Sequence, residues 1–158
     1  MIKVLFVCLG NICRSPLAEA IFNQKVSELG LNDVLSGDSS GTSNYHIGEP
    51  PDERTIRNAR KNGVIIRHAG RQLTIDDLEE YDYVFAMDSN NYNSIVRLSN
   101  GSARARIGMI REYDPLTKGG EVPDPYFGGE RGFQEVFEML DRSIDNLIRH
   151  LGRIEKQG

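Results

Sequence analysis

The sequence predicts an α/β fold: one domain built on an open, doubly wound parallel sheet with helices on both faces. Three observations carry that expectation. Apolar, β-branched runs alternate with helical patterns along the chain, the signature of parallel strands joined by crossover helices. The first run, residues 2 to 7, is almost wholly apolar, as a strand buried on both faces must be. The 158 residues, 39% hydrophobic and 27% charged, suffice to bury one core, so residues 1–158 read as a single unit.

After the first strand, Ser15-Pro16 reads as a helix entry, with Ser15 as N-cap and Pro16 in the first helical position, where its missing N–H costs nothing. Leu17, Ala20, Ile21, Val26 and Leu29 give helical spacing over 16–29, and Gly30 suits the stop. A strand over 34–39 and a polar turn through Ser40-Gly41-Thr42 follow. A helix over 52–62 closes at Gly63, and Val64 to Arg67 reads as a short strand. Next come a buried strand over 83–87, a helix over 89–98 and a short strand over 107–109. A loop rich in Gly and Pro runs from Asp114 to Arg131. In the last helix Phe133, Val136, Phe137, Leu140, Ile144, Leu147, Ile148, Leu151 and Ile154 step by three and four, an apolar stripe that packs on the sheet. The expected arrangement of the four main strands is flavodoxin-like, order 2-1-3-4. Ligands of such sheets bind beyond the carboxyl ends of the strands, and Cys8, Ser40, Asp88 and the loop before Asp124 all follow strands.

Chemistry concentrates in Cys8-Leu9-Gly10-Asn11-Ile12-Cys13-Arg14, where the first strand ends and a helix begins. Gly10 and Asn11 tolerate positive φ, so the residues between Cys8 and Arg14 can curl until their backbone N–H groups converge on one centre. Converging amides, a helix N-terminus and a guanidinium all favour a thiolate at Cys8. Arg14 adds a planar fork of donors that matches two phosphoryl oxygens. In phosphoryl transfer charge spreads over three equatorial oxygens, and this ring is preorganised to receive it.

Composition narrows the classes. A net charge of −4 makes the whole chain a poor binder of nucleic acid or anionic membrane, so an anionic substrate must be drawn locally. Basic residues do gather between Arg54 and Arg71, with an acidic run from Asp76 to Asp82 behind them. Solvated helix faces explain most of that pattern. Both cysteines lie in the one loop, which excludes a disulfide scaffold. With no basic-then-apolar leader and no run long enough to span a bilayer, a cytoplasmic monomer is expected. His46, His68 and His150 have no Cys or carboxylate at ligand spacing, so no metal is expected.

Val7-Cys8-x-x-Gly10-Asn11-x-Cys13-Arg14-Ser15-Pro16 resembles the low molecular weight protein tyrosine phosphatase family. The likeness continues at Ser40-Gly41-Thr42, Ala86-Met87-Asp88 and Asp124-Pro125-Tyr126. It implies a cofactor-free phosphoric monoester hydrolase that acts on phosphotyrosine in proteins or peptides, and on small aryl phosphates. The route implied is a phosphocysteine intermediate, with phosphate and other oxyanions as inhibitors. By the same resemblance Cys8 is the nucleophile, Arg14 binds phosphate, and Asp124 is the general acid and then the base. Pro123 and Pro125 would hold that acid stiffly. Leu9, Gly10, Asn11, Ile12, Cys13 and Ser15 would surround the phosphate. Tyr126 and Tyr45 would wall a cleft deep enough for phosphotyrosine, although a Trp often stands where this chain has Tyr45. Asn11, Ser15, Ser39 and His68 match a hydrogen-bond network beneath the loop, with Ser15 also bonding the thiolate. Asp88 is either a helix cap or a site-facing support. Cys13 either packs or forms a disulfide with an oxidised Cys8.

Three rival activities share parts of this pattern. A protein-arginine phosphatase of the family carries Thr in the loop, where this chain has the bulkier Ile12. A thiol-dependent arsenate reductase needs further cysteines to relay its disulfide. A phosphocysteine carrier of the sugar phosphotransferase type lacks the Arg and has no use for Asp124.

Overall fold

The computed structural model describes residues 1–126 and 128–157, with side chains described through Ile154. Four parallel strands, β1 (Ile2–Cys8), β2 (Leu35–Gly41), β3 (Tyr83–Ala86) and β4 (Arg106–Met109), form one sheet of order β2-β1-β3-β4. This is the expected order. Central β1 pairs Cys8 with Gly41 on one side and Val7 with Ala86 on the other, so three strands end together at the edge where Cys8 sits. Side chains alternate across a strand, and β1 therefore feeds two cores. Val4, Phe6 and Cys8 face the larger one, beneath α1 (Arg14–Glu28) and α5 (Glu130–Gln157), while Leu5 and Val7 face the smaller, beneath α3 (Ile75–Glu80) and α4 (Ser89–Ser99). Full burial on both faces is why the run is apolar without alternation. In α5 the predicted stripe is buried from Phe133 to Leu151, and only Ile154 emerges.

Two readings of the connections need correction. Residues 64–67 form no strand: Val64 and Ile66 plug the larger core, Ile65 and Arg67 face outward, and among the described residues no strand pairs with them. The edge of β2 is met instead by Arg71 to Leu73, through Gly41 N–H to Arg71 O (2.9 Å) and Leu73 N–H to Gly41 O (2.7 Å). The acidic stretch after Arg71 contains α3, which sequence spacing did not suggest. Its signal is a capping box, in which Thr74 Oγ1 accepts from Asp77 N–H and Asp77 returns the bond to Thr74 N–H. A helix α2 (Glu53–Lys61) begins at Asp52, whose carboxylate accepts from Arg54 N–H as an N-cap should. Among the described residues no helix is long and apolar enough to cross a membrane.

Candidate active site

The loop after β1 is shaped by close backbone packing. Asn11 takes the left-handed region (φ 57°), which its short polar side chain tolerates. Gly10 does not adopt positive φ, and its lack of a side chain serves another purpose: a Cβ there would stand 3.0 Å from the His46 ring. Gly41 is more constrained still. A Cβ would meet Leu9 O at 2.7 Å and Asn11 N at 3.1 Å, so the end of β2 must be bare for the loop to cross it. Thr42 N–H and Ser43 N–H then donate to the carbonyls of Cys8 and Leu9 (2.9 and 3.0 Å), fixing the crossing.

Helix α1 starts at Arg14, one residue before the expected cap, and Pro16 is its third residue. Ser15 does not cap. Its hydroxyl lies 3.0 Å from Cys8 Sγ, donates to Ser40 O at 3.3 Å and accepts from Asn11 Nδ2 at 2.8 Å. Buried groups have claimed the hydroxyl, and the Cys13 position supplies no side-chain cap. The first turn of α1 is thus left without a side-chain cap, the condition under which helix N-termini bind anions.

Beneath the loop the Asn11 amide uses its full capacity. Nδ2 donates to Ser15 Oγ and to Ser39 Oγ (3.1 Å). Oδ1 accepts from Arg71 N–H (3.0 Å) and faces His68 Nε2 at 2.6 Å. His68 Nδ1 lies 3.1 Å from Glu19, and Ser39 Oγ donates to the same carboxylate at 2.7 Å. Sequence reasoning missed Glu19 and Arg71. Glu19 was findable, because it follows Ser15 by four residues on the same helix face; no local pattern marks Arg71. Glu19, Asp38 and His68 bring ligand-type atoms within 4.8 Å of one another. These atoms already serve the network, with Asp38 accepting from Ser39 N–H, Tyr81 OH and Arg71.

Arg14 is 2% exposed and joins three elements. Nη1 donates to Asp88 Oδ2 at 2.6 Å and to Val122 O at 3.0 Å, while Nη2 stands 3.9 Å from Asp124 Oδ2. Burial works against the charged guanidinium. Negative charge at Cys8 and Asp88 outweighs it and holds the Arg14 pKa above the usual arginine value. Asp88 caps α4 and holds Arg14 at once, since its other oxygen accepts from Asn91 N–H (2.8 Å). Neither cysteine is in a disulfide, and burial pushes Cys13 up to about 12, which keeps it protonated at neutral pH and slows any attack it could make.

These groups open into a cavity of about 260 Å³. Cys8, Leu9, Gly10, Ile12, Cys13 and Arg14 form its floor; Tyr45, His46, Asp124 and Tyr126 form its walls. Asn11 N–H reaches Cys8 Sγ at 3.3 Å, but the Asn11 and Ser15 side chains, like Ser39, His68 and Asp88, stay outside the cavity lining. Tyr45 and Tyr126 are 71% and 40% exposed, so both rings stand at the open mouth of the cavity. His46, on the rim against Gly10 with its Nδ1 2.5 Å from Glu49, is a lining residue that the sequence did not single out.

A family model described as low molecular weight phosphotyrosine protein phosphatase matches residues 3–157. The chain belongs to this phosphatase family. A low molecular weight phosphotyrosine protein phosphatase of Schizosaccharomyces pombe is 41% identical over 153 residues, covering 95% of this chain and 97% of the relative. The crystal structure of a protein tyrosine phosphatase from Entamoeba histolytica, with HEPES in its active site, superposes with a TM-score of 0.93 at 36% identity, over 98% of this chain and 99% of that one. An arginine phosphatase from Drosophila superposes at 0.87 with 31% identity, over 94% and 97%. Low molecular weight phosphatases are hydrolases of phosphoric monoesters, and the sheet order found here is theirs.

Proposed function

We propose that this phosphatase hydrolyses phosphotyrosine in two steps through a phosphocysteine. Cys8 Sγ attacks phosphorus in line while Asp124 gives its proton to the departing phenolate oxygen. Water then breaks the S–P bond with Asp124 taking its proton, which releases phosphate and restores the thiolate. Each step uses side chains of this chain and water. One observation carries the reading: Cys8, Arg14 and Asp124 share a single cavity, with Arg14 held 3.9 Å from the acid. Leaving-group protonation and equatorial charge can thus be served by adjacent groups at one phosphoryl site. Phosphate and other oxyanions should compete there, in keeping with the sulfonate buffer in the active site of the Entamoeba relative. A reducing compartment, the cytoplasm, suits two free cysteines in one catalytic loop.

Phosphoarginine is the second reading, because one structural relative is an arginine phosphatase. Ile12 argues against it here, as an apolar side chain in the cavity floor offers a guanidinium no acceptor. Peptides carrying phosphotyrosine, phosphoserine or phosphoarginine, with arsenate reduction as a control, separate these outcomes. Phosphotyrosine turnover is expected, and Cys8→Ser should abolish it. Preference for phosphoarginine, or residual turnover by a clean Cys8→Ser preparation, would refute the reading.

A further inference from the structure

Beside the catalytic cavity lies a smaller cleft of about 110 Å³, floored by Phe133 and walled by Arg54, Arg57 and the backbone of Gly128 and Gly129. One layer of side chains separates the two. The Arg54 guanidinium sits 5.1 Å from the centre of the Tyr126 ring, which faces the catalytic cavity, and 4.9 Å from that of Phe133. Phe133 in turn packs against Ile12 and Cys13 of the catalytic loop.

The charges in this cleft are not equivalent. Arg54 is committed to Asp52 through Nε (3.0 Å) and Nη2 (2.9 Å), so it acts as a wall. Glu130, also at the rim, is offset by Lys61 at 2.9 Å. Arg57 follows Arg54 by three residues on the same face of α2. It is exposed, and among the described residues it makes no ion pair or side-chain hydrogen bond, its charge acting on Asp52 and Glu130 only at longer range.

We propose that this cleft is a subsite for an acidic side chain of the substrate peptide, with Arg57 as the residue that selects it. The proposal rests on the reading of the main cavity as a phosphotyrosine site. A peptide anchored there must leave over the rim, and extended chain advances about 3.3 Å per residue. An Asp or Glu about one to three positions from the phosphotyrosine therefore spans the Tyr126–Arg54 partition. Its methylenes would lie on Phe133 and its carboxylate on the Arg57 fork. A contact this exposed is screened, so a selectivity of about three- to tenfold is expected, weakening with salt.

The test is a set of phosphotyrosine peptides with Glu, Gln or Lys at each of three positions on either side, assayed as kcat/KM on the wild type, Arg57→Ala and Arg57→Glu. Comparing peptides within each protein, with rates scaled to p-nitrophenyl phosphate turnover, removes any difference in folding or basal rate. The wild type should favour Glu over Lys at one or two positions, Arg57→Ala should level the ratio, and Arg57→Glu should invert it. Equal ratios in all three proteins, with phosphotyrosine peptides still hydrolysed, would overturn the subsite alone. Hydrolysis of p-nitrophenyl phosphate without that of any phosphotyrosine peptide would overturn the parent reading and the subsite with it.

Discussion

The loop from Cys8 to Arg14 and the loop that carries Asp124 face each other across one cavity, yet they are built on opposite principles. In the first, Cys8, Asn11, Arg14 and Ser15 are all at most 2% exposed, and every polar side chain among them has partners. In the second, the tip is open and the base is locked. Asp124 has a 47% exposed side chain, and among the described residues it accepts one hydrogen bond, a local turn with Tyr126 N–H. Ten residues earlier, buried Asp114 binds Arg111 (2.9 Å), Arg142 (2.8 Å) and the N–H groups of Leu116 and Thr117. An oxyanion cradle stabilises charge best when its dipoles need not reorganise, which demands burial. A proton donor must meet a leaving group that enters and departs with substrate, which demands access. Arg14 joins the two loops through Val122 O, two residues before Asp124.

The contrast is sharpened most by Asp124→Asn. Loss of the proton donor should lower kcat by about a hundred- to ten-thousandfold for poor leaving groups such as phenyl phosphate, and far less for activated aryl phosphates. A leaving-group series measures this, and a uniform loss across the series would break the assignment of the open loop to proton transfer. Next in size is Arg14→Lys, where charge is kept but the fork is lost. A fall in kcat/KM of about a hundred- to a thousandfold, independent of leaving group, is expected for a cradle that works by geometry. Near-normal turnover would mean that positive charge alone suffices.

Asp114→Asn tests the locked base, and its readout is stability. Burial opposes the Asp114 carboxylate, but Arg142, the backbone donors and Arg111 prevail and hold its pKa well below the usual carboxylate range. A depressed folded pKa stabilises the protein above the unfolded value near 4, and that stability is lost as pH falls below it. Removing the charge leaves Arg111 buried and unpaired, at a cost of about 3–5 kcal/mol at neutral pH in urea unfolding. The variant should also show a shallower acid limb than the wild type. Equal acid limbs would remove Asp114 as the hub of that loop.

Much of the site was legible because it is local. Cys8, Asn11, Arg14 and Ser15 fall within eight residues, so their types and spacing already describe an anion cradle. Asp124, between two prolines, reads locally as a turn and is marked as an acid only by the family resemblance. What local pattern could not supply were partners brought by register and crossover. Pairing of β1 with β3 carries Asp88 to Arg14, 74 residues away, and Arg71 meets Asn11 across 60. Val64 to Arg67 misled for the same reason: alternation shows which side chains are buried, but strand identity depends on a neighbour's backbone.

By itself, then, the sequence determined the parallel sheet, the apolar stripe of α5 and the identity of the loop, since each follows from periodicity or from backbone freedom over a few residues. Only the tertiary structure decided that Ser15 serves the thiol rather than the helix end, that Asp88 both caps and pairs, and that Arg57 stands over a cleft next to the catalytic one. The physical reason is common to all three. A hydroxyl, a carboxylate or a guanidinium binds whichever partner the packed backbone brings within about 3 Å, and that choice is settled by the whole fold at once.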